Sequence, residues 1–140
     1  MNAPTYTTEI LRLAASLAPA AALEREDGRA ELRSPTCGSS IRTLVTVDGE
    51  GRVAALSQNV RACAFGQASA ALVERDALGR TSDEIAAALS ELADWLGGKR
   101  ADPGSWPGLS ALAPARSKTG RHGAILLPFR ALLAALEGAR

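Results

Sequence analysis

The fold of this chain is decided by residues 41–51, which have the sequence IRTLVTVDGEG. The odd-numbered positions from 41 to 47 are Ile, Thr, Val and Val, and a pleated strand presents such alternate positions on one face to a core. The DGEG segment that follows supplies residues that tolerate the positive φ angles of a hairpin turn. We therefore predict a strand over 41–47 and an antiparallel return over 53–60.

The segment before this hairpin adds a helix and a further strand. Apolar residues recur at helical spacing over 7–17, where Thr7 or Thr8 can cap the start and Pro19 requires the helix to end before it. Asp27-Gly28 predicts a turn, and residues 30–33 predict a short strand after it.

The segment after the hairpin is helical. Residues from Cys63 onward favour a helix that stops near Gly79, and Thr81 with Glu84 forms a capping-box signature for a second helix that ends at Gly97-Gly98. Breaker residues predict a loop over 99–108.

A last helix is predicted over 125–136, with Pro128 tolerable only in its first turn. Three aromatic side chains at apolar positions, Trp95, Trp106 and Phe129, are expected in the core.

Early strands followed by helices, without βαβ alternation, indicate the α+β class: a small antiparallel β-sheet of about three strands with helices packed on one face. A chain of 140 residues with 46% hydrophobic content fits one compact domain over 1–140.

Composition also narrows the choice of partners and compartment. A net charge of +1, with arginines that look dispersed, gives no electrostatic reason to expect nucleic acid. Charged residues or prolines interrupt every apolar stretch before the roughly 20 residues that cross a bilayer, so no membrane span is expected. Residues 1–9 lack the pattern of a secretory signal, and we expect a cytoplasmic protein in which cysteines are thiols or metal ligands.

The two cysteines of the chain each lie in a distinctive local sequence. Cys37 precedes Gly38, which permits a turn and a close approach of the backbone to a bound group. Cys63 opens an Ala- and Ser-rich helix, and a helix N-terminus favours the thiolate form, which suits a metal ligand or a sulfur acceptor. Each cysteine could instead be inert, Cys63 as a small buried residue and Cys37 as an ordinary turn residue.

Further donors are few. His122 is the only histidine; it is a candidate metal ligand, although a lone histidine is more often a surface or capping residue. Ser39 could be a weak oxygen ligand, and more often a serine in this position satisfies a turn. Arg116, Lys118 and Arg121 form a modest basic cluster, either a solvated edge or a docking surface.

The order of these motifs resembles the U-type iron–sulfur scaffold proteins (IscU, SufU and the N-terminal domain of NifU). The matching features, over about residues 34–133, are Pro35-x-Cys37-Gly38, a β-hairpin, Cys63 opening a helix with Ala68-Ser69, and Gly79-Arg80-Thr81-x-Asp83-Glu84. Two features depart from the family. Ser39 replaces the aspartate of its Cys-Gly-Asp motif, and its third cysteine is replaced by Gly123 or Ala124.

The resemblance implies that Cys37 and Cys63 bind iron or an iron–sulfur cluster, or accept sulfur, with His122 as a third donor and zinc as the alternative metal. It also implies a cysteine desulfurase and cluster-acceptor proteins as partners, and a scaffold that itself catalyses little.

Two alternatives stay open at this stage. The chain could keep the fold yet bind metal weakly, not at all, or only across a homodimer in which two chains give four thiolates, and act in protein interaction. It could also be a small thiol sulfurtransferase with Cys63 as nucleophile and His122 as its proton partner.

Overall fold

A computed structural model describes residues 6–35 and 38–139. Cys37 lies outside the described residues. The elements, in chain order, are α1 (Thr8–Ser16), β1 (Gly28–Arg33), β2 (Ser40–Val47), β3 (Val53–Arg61), α2 (Ala64–Asp76), α3 (Ser82–Leu96), two 3-10 helices (Leu109–Ala115 and Thr119–Arg121) and α4 (His122–Gly138). The strands form one antiparallel sheet in the order β1-β2-β3, and α4 and α2 pack against it. The predicted α+β class is confirmed.

The hairpin predicted over residues 41–60 forms. Ile41, Thr43 and Val45 are buried on the helix-facing side of β2, while Arg42 is exposed on the other side. The turn at 48–51 is closed by a hydrogen bond from the Asp48 amide to the Arg52 carbonyl, 3.0 Å.

The helix starts follow their capping residues. The Thr7 hydroxyl accepts a hydrogen bond from the Ile10 amide at the start of α1, and Thr81 and Glu84 form the predicted capping box of α3. These bonds satisfy amides that have no partner within the helix.

The aromatic residues lie in the core. Trp95, Trp106 and Phe129 are buried, as predicted, and the Trp106 indole N–H donates to the Leu72 carbonyl at 3.0 Å. This hydrogen bond ties the loop before the first 3-10 helix to α2.

The prediction of a turn at Asp27-Gly28 is wrong, because Gly28 is the first residue of β1. The Asp27 amide donates to the Val45 carbonyl at 2.8 Å, which extends the sheet instead of reversing the chain. Gly28 serves packing: a Cβ at this position would overlap the Ala135 carbonyl oxygen of α4. The glycine therefore lets α4 lie close to the sheet.

The last helix begins at His122, three residues earlier than predicted, so that Pro128 lies in its second turn. Proline cannot donate the hydrogen bond from residue 128 to the Ala124 carbonyl, and its ring crowds that carbonyl. The next carbonyl along α4, that of Ile125, accepts a hydrogen bond of 2.6 Å from the buried Ser69 hydroxyl of α2. The helix continues through the proline with this support from its neighbour.

Candidate functional site

The sheet register brings three sequence-distant segments to one end of the molecule. Ser40, the first residue of β2, pairs with Arg33 at the end of β1 and with Arg61 at the end of β3. Adjacent strands are about 4.8 Å apart, so the β1–β2 loop and the β3–α2 junction emerge side by side. We call this region, formed by residues 33–40, 61–66 and 121–124, the cysteine end.

The β1–β2 loop is closed by its own backbone. The Ser34 amide donates to the Ser39 carbonyl at 2.8 Å, and the Gly38 amide donates to the Ser34 carbonyl at 3.1 Å. Gly38 has a φ of 73°, a left-handed conformation that favours glycine. Ser34 and Ser39 are both buried. The described parts of this loop, Ser34-Pro35 before Cys37 and Gly38-Ser39 after it, are thus held together by backbone hydrogen bonds.

Cys63 occupies the N-cap position of α2 and is partly exposed. Its side chain makes no capping hydrogen bond, and the first turn of α2 contains no acidic residue. The Gln67 side chain donates to the Ala62 carbonyl at 2.9 Å, and the Gln67 amide donates to the Cys63 carbonyl at 2.9 Å. The thiol therefore lies at a helix start that these hydrogen bonds hold in place.

The start of α4 contacts both of the other segments. A Cβ built on Gly123 would lie 2.5 Å from the Ser34 hydroxyl oxygen, and a Cβ built on Gly66 would lie 3.3 Å from the Ala124 methyl. Position 123 thus faces the loop that carries Cys37, whereas position 124 packs against α2. Of the two residues that could replace the family's third cysteine, Gly123 is the one that faces the loop.

His122 lies at the first position of α4 and is partly buried. Its Nε2 is 2.9 Å from the Ala115 carbonyl oxygen and 3.1 Å from that of Arg116. Carbonyl oxygens only accept hydrogen bonds, so this network assigns the proton to Nε2 and leaves Nδ1 as the atom that can bind a metal or accept a proton. These two contacts agree with the capping role that the sequence suggested for His122.

The described residues alone do not form a closed metal site. Within 6–35 and 38–139, no three or more His, Cys, Asp or Glu side chains cluster where they could hold a metal ion. Among the described residues of the cysteine end, Cys63 offers a sulfur donor and His122 offers the nitrogen donor Nδ1. Ser39 offers only a neutral oxygen. A soft metal bound here would need Cys37, and a fourth donor from elsewhere.

Sequence reasoning missed an arginine cluster at this end. Arg33, Arg42 and Arg61 look dispersed in the sequence, but all three lie on the face of the sheet opposite the helices, where they line a cavity of about 390 Å³. The signal was present in the alternation of the strands, because a correct register places these three positions on one face. The other cluster, near Arg116, is partly structural: this guanidinium donates to the Trp95 carbonyl and lies over the Trp95 ring.

Solved structures with the same fold are known. The chain has a TM-score of 0.86 and 28% identity to the crystal structure of a nitrogen-fixing NifU-like protein (N-terminal) from Brucella abortus, covering 95% of this chain and 92% of that one. A protein from the thermophile Fervidobacterium islandicum AW-1, described as an iron–sulfur cluster assembly scaffold for the SUF system, aligns with a TM-score of 0.81 and 20% identity over 94% of this chain and 96% of its own. A third crystal structure, of a hypothetical protein, has a TM-score of 0.67 and 20% identity over 91% of this chain and 96% of its own.

No family model and no curated protein sequence matches the chain. Among the described residues, no helix is both long and apolar enough to span a membrane. The structural neighbours and the motifs agree. The resemblance to the U-type iron–sulfur scaffold family is confirmed: the chain has that family's fold, without its third cysteine and with Ser39 in place of its aspartate.

Proposed function

We propose that this protein is an iron–sulfur cluster assembly scaffold that takes iron and sulfur as cargo through Cys37 and Cys63. The observation that carries the proposal is the meeting of the Cys37 loop, the N-terminus of α2 and the start of α4 at one end of the sheet. The fold shared with the NifU-like protein from Brucella abortus and with the Fervidobacterium protein described as a cluster assembly scaffold supports this proposal.

Sulfur delivery is the step that the geometry of Cys63 suits. The Cys63 thiolate attacks the outer sulfur of a donor persulfide; the donor's sulfur–sulfur bond breaks, the donor leaves as a thiolate, and Cys63 becomes the persulfide. No external oxidant is needed, because the transferred sulfur keeps its oxidation state. The partly exposed N-cap position of Cys63 admits the donor. We infer a cysteine desulfurase as donor and cluster-binding proteins as acceptors, in the cytoplasm, where both thiols stay reduced.

Iron is the second cargo, and the ligand set limits how tightly it is held. Cys37 and Cys63 supply two thiolates, His122 can add Nδ1, and Ser39 can add a weak oxygen. Thiolates and imidazole suit iron–sulfur clusters and also zinc, so zinc is the competing metal. A homodimer joined at the cysteine end would supply four thiolates from two chains. With a neutral serine where the family has an aspartate, we expect weaker binding than a complete ligand set gives.

The decisive experiment is anaerobic reconstitution of the purified protein with ferrous iron and sulfide. We expect bound iron and a thiolate–iron absorption band, both lost in Cys37→Ser and in Cys63→Ser. Ser117→Ala, a change of similar size in an exposed residue between the two 3-10 helices, is the control and should behave as the parent. Parallel titration with zinc identifies the preferred metal. If no iron binds, the scaffold proposal is wrong and a protein-interaction role is favoured. A band that survives in both cysteine variants also contradicts the proposal, because other groups would then bind the iron.

The second candidate is a thiol sulfurtransferase in which Cys63 is the nucleophile and His122 the proton partner. The N-cap position of Cys63 favours it as strongly as it favours a scaffold. The distinguishing variant is His122→Gln, whose longer side chain carries an amide N–H that can donate to the Ala115 and Arg116 carbonyls while the basic ring nitrogen is removed. Transfer that persists in this variant, with the added sulfur on Cys63 detected by mass spectrometry, excludes His122 as the base.

A further inference from the structure

The outer face of the sheet, opposite the helices, carries a cluster of positive charge next to the Cys37 loop. Arg33 and Arg61 flank Ser40 in one row of paired residues, and Arg42 lies in the next row, between Glu31 and Asn59. All three arginines are exposed. Their three positive charges outnumber the single negative charge of Glu31.

Among the described residues, five other arginines are paired with carboxylates, whereas these three are not. Arg25, Arg29, Arg52, Arg80 and Arg100 each form an ion pair with a nearby carboxylate. Within the described part of the chain, Arg33, Arg42 and Arg61 form none, although Glu31 lies directly across from Arg42 in the register. Three neighbouring cations with only one carboxylate among them repel one another, so a bound anion would relieve this repulsion.

The side chains surround a real concavity. The cavity of about 390 Å³ is lined by the three arginines, Glu31, Ser40, Asn59 and Gly38. A volume of this size suits a small molecule rather than a macromolecular surface. Apart from Glu31, the polar lining side chains offer hydrogen-bond donors: three guanidinium groups, a hydroxyl and an amide.

We propose that this cavity, which we call the arginine pocket, binds a small anion that carries two or more carboxylate or phosphate groups. Guanidinium groups pair with such groups through two parallel hydrogen bonds, and charge-assisted bonds of this kind are the strong ones. Arg33 and Arg61 lie on strands two spacings apart, about 10 Å between their backbones. An anion with one charged group can satisfy one guanidinium fork, whereas a polyanion can bridge two or three.

The proposal goes beyond the scaffold function and does not depend on it. The arginine pocket lies on the outer sheet face and contains neither Cys63 nor His122, although Gly38 places it directly beside the Cys37 loop. The test is therefore made on metal-free protein. Cys63→Ser should keep anion binding, so failure of one proposal leaves the other intact.

The test is calorimetric titration of the metal-free protein with citrate, with pyrophosphate and with acetate. We expect saturable binding of citrate or pyrophosphate and none of acetate; the tighter of the two polyanions tells whether carboxylate or phosphate groups are preferred. Binding of acetate as tight as that of both polyanions, or no saturable binding, overturns the proposal.

Matched variants that each remove two positive charges distinguish binding in the arginine pocket from nonspecific attraction of an anion to exposed arginines. The double variant R42Q/R61Q should weaken binding at least about tenfold, which corresponds to ~1.4 kcal/mol. The control R12Q/R130Q removes two exposed arginines from α1 and α4, and its affinity should stay within about twofold of the parent, because these charges are remote from the pocket. Thermal unfolding shows whether both doubles are folded. An equal loss in the two doubles overturns the proposal.

Removing the negative charge of Glu31 should have the opposite effect on anion affinity. Its carboxylate lines the arginine pocket and competes with an anion for Arg42, so Glu31→Gln should tighten citrate or pyrophosphate binding several-fold. Glu137→Gln removes an exposed carboxylate near the end of α4 and should leave the affinity unchanged. Weaker binding in Glu31→Gln contradicts the proposal.

Discussion

The two ends of the sheet differ in whether their polar groups have hydrogen-bond or ion-pair partners within the protein. At one end, which we call the hairpin end, lie the β2–β3 turn at 48–52, the α2–α3 connection at 77–81 and the first turn of α3. Here the Asp48 carboxylate accepts hydrogen bonds from the Glu50 and Arg52 amides, and Arg52 pairs with both Glu50 and Glu84. The capping box of α3 completes this network.

The cysteine end leaves comparable groups without protein partners. Cys63 caps α2 without a side-chain hydrogen bond, and, among the described residues, Arg33 and Arg61 form no ion pair. Arg33 and Arg61 are exposed, so water solvates their charges, whereas the Asp48 carboxylate at the hairpin end holds its turn through two hydrogen bonds that stabilise the fold. The difference indicates that the hairpin end maintains the fold and the cysteine end is available to ligands.

The largest effect on stability is expected from Gly28→Ala, near the hairpin end of β1. The new Cβ would overlap the Ala135 carbonyl oxygen and push α4 from the sheet, so the free energy of unfolding should fall by about 3 kcal/mol. Urea denaturation measures this change. Gly49→Ala, in the β2–β3 turn with no atom near its Cβ, is the control and should change stability little. A Gly28→Ala protein as stable as the parent would show that the close approach of α4 is not required.

The next effect concerns binding at the cysteine end. The double variant S34A/G123C places a third thiol at the position that faces the Cys37 loop, and the serine change removes the hydroxyl that a Cβ at 123 would meet. A third soft donor should raise the iron affinity at least about tenfold, or ~1.4 kcal/mol, in anaerobic titration.

Two controls sharpen that prediction. S34A alone should bind iron as the parent does. A124C adds a thiol at a buried position against α2, and it should not raise the affinity. If A124C binds more tightly than S34A/G123C, the cysteine end has been assigned the wrong donor position.

A smaller loss of stability is expected from Thr81→Ala at the hairpin end. The Thr81 hydroxyl accepts from the Glu84 amide at 3.2 Å, and the loss of an N-cap of this kind costs about 1 kcal/mol. Chemical denaturation should show this decrease, while iron affinity should be unchanged because the cysteine end is not touched. Thr81→Ser, which keeps the hydroxyl, is the control. A change in iron affinity would contradict the division between the two ends.

Much of the fold followed from local patterns. The parity of residues 41–47, the DGEG turn and the capping box each depend on neighbours in the chain, and all three formed as predicted. The turn expected at Asp27-Gly28 failed because Gly28 is needed for the approach of α4, a contact with a residue more than a hundred positions away. Local propensity cannot report a distant close contact.

The site was only partly predictable for the same reason. The sequence and the family resemblance pointed to Cys63 and to the start of α4, and the register brings these segments together. The arginine pocket was missed because its three arginines lie on three different strands and become neighbours only when the sheet forms. The hydrogen bonds of His122 to two carbonyls likewise come from the 3-10 helix folding back on α4.

The smallest expected effect is local loosening of the hairpin end in acid. Hydrogen bonds from backbone amides, chiefly those of Val47, Arg52 and Thr81, lower the pKa of Asp27, Asp48 and Glu84 respectively. A carboxyl group whose pKa is lower in the folded than in the unfolded state adds stability above its ordinary value, 3.8 for Asp and 4.5 for Glu, and that stability is lost as the pH falls through the folded-state pKa.

Amide hydrogen exchange, corrected for intrinsic rates, should therefore show the hairpin end opening more readily at about pH 3 than at neutral pH, with a smaller change at the cysteine end. Asp48→Asn keeps a side-chain acceptor for the turn amides but cannot titrate, so it should reduce the acid response of the turn. If the cysteine end loosens first in acid, the division between the two ends is wrong. Titrating groups would then stabilise the cysteine end, which we have assigned to ligand binding.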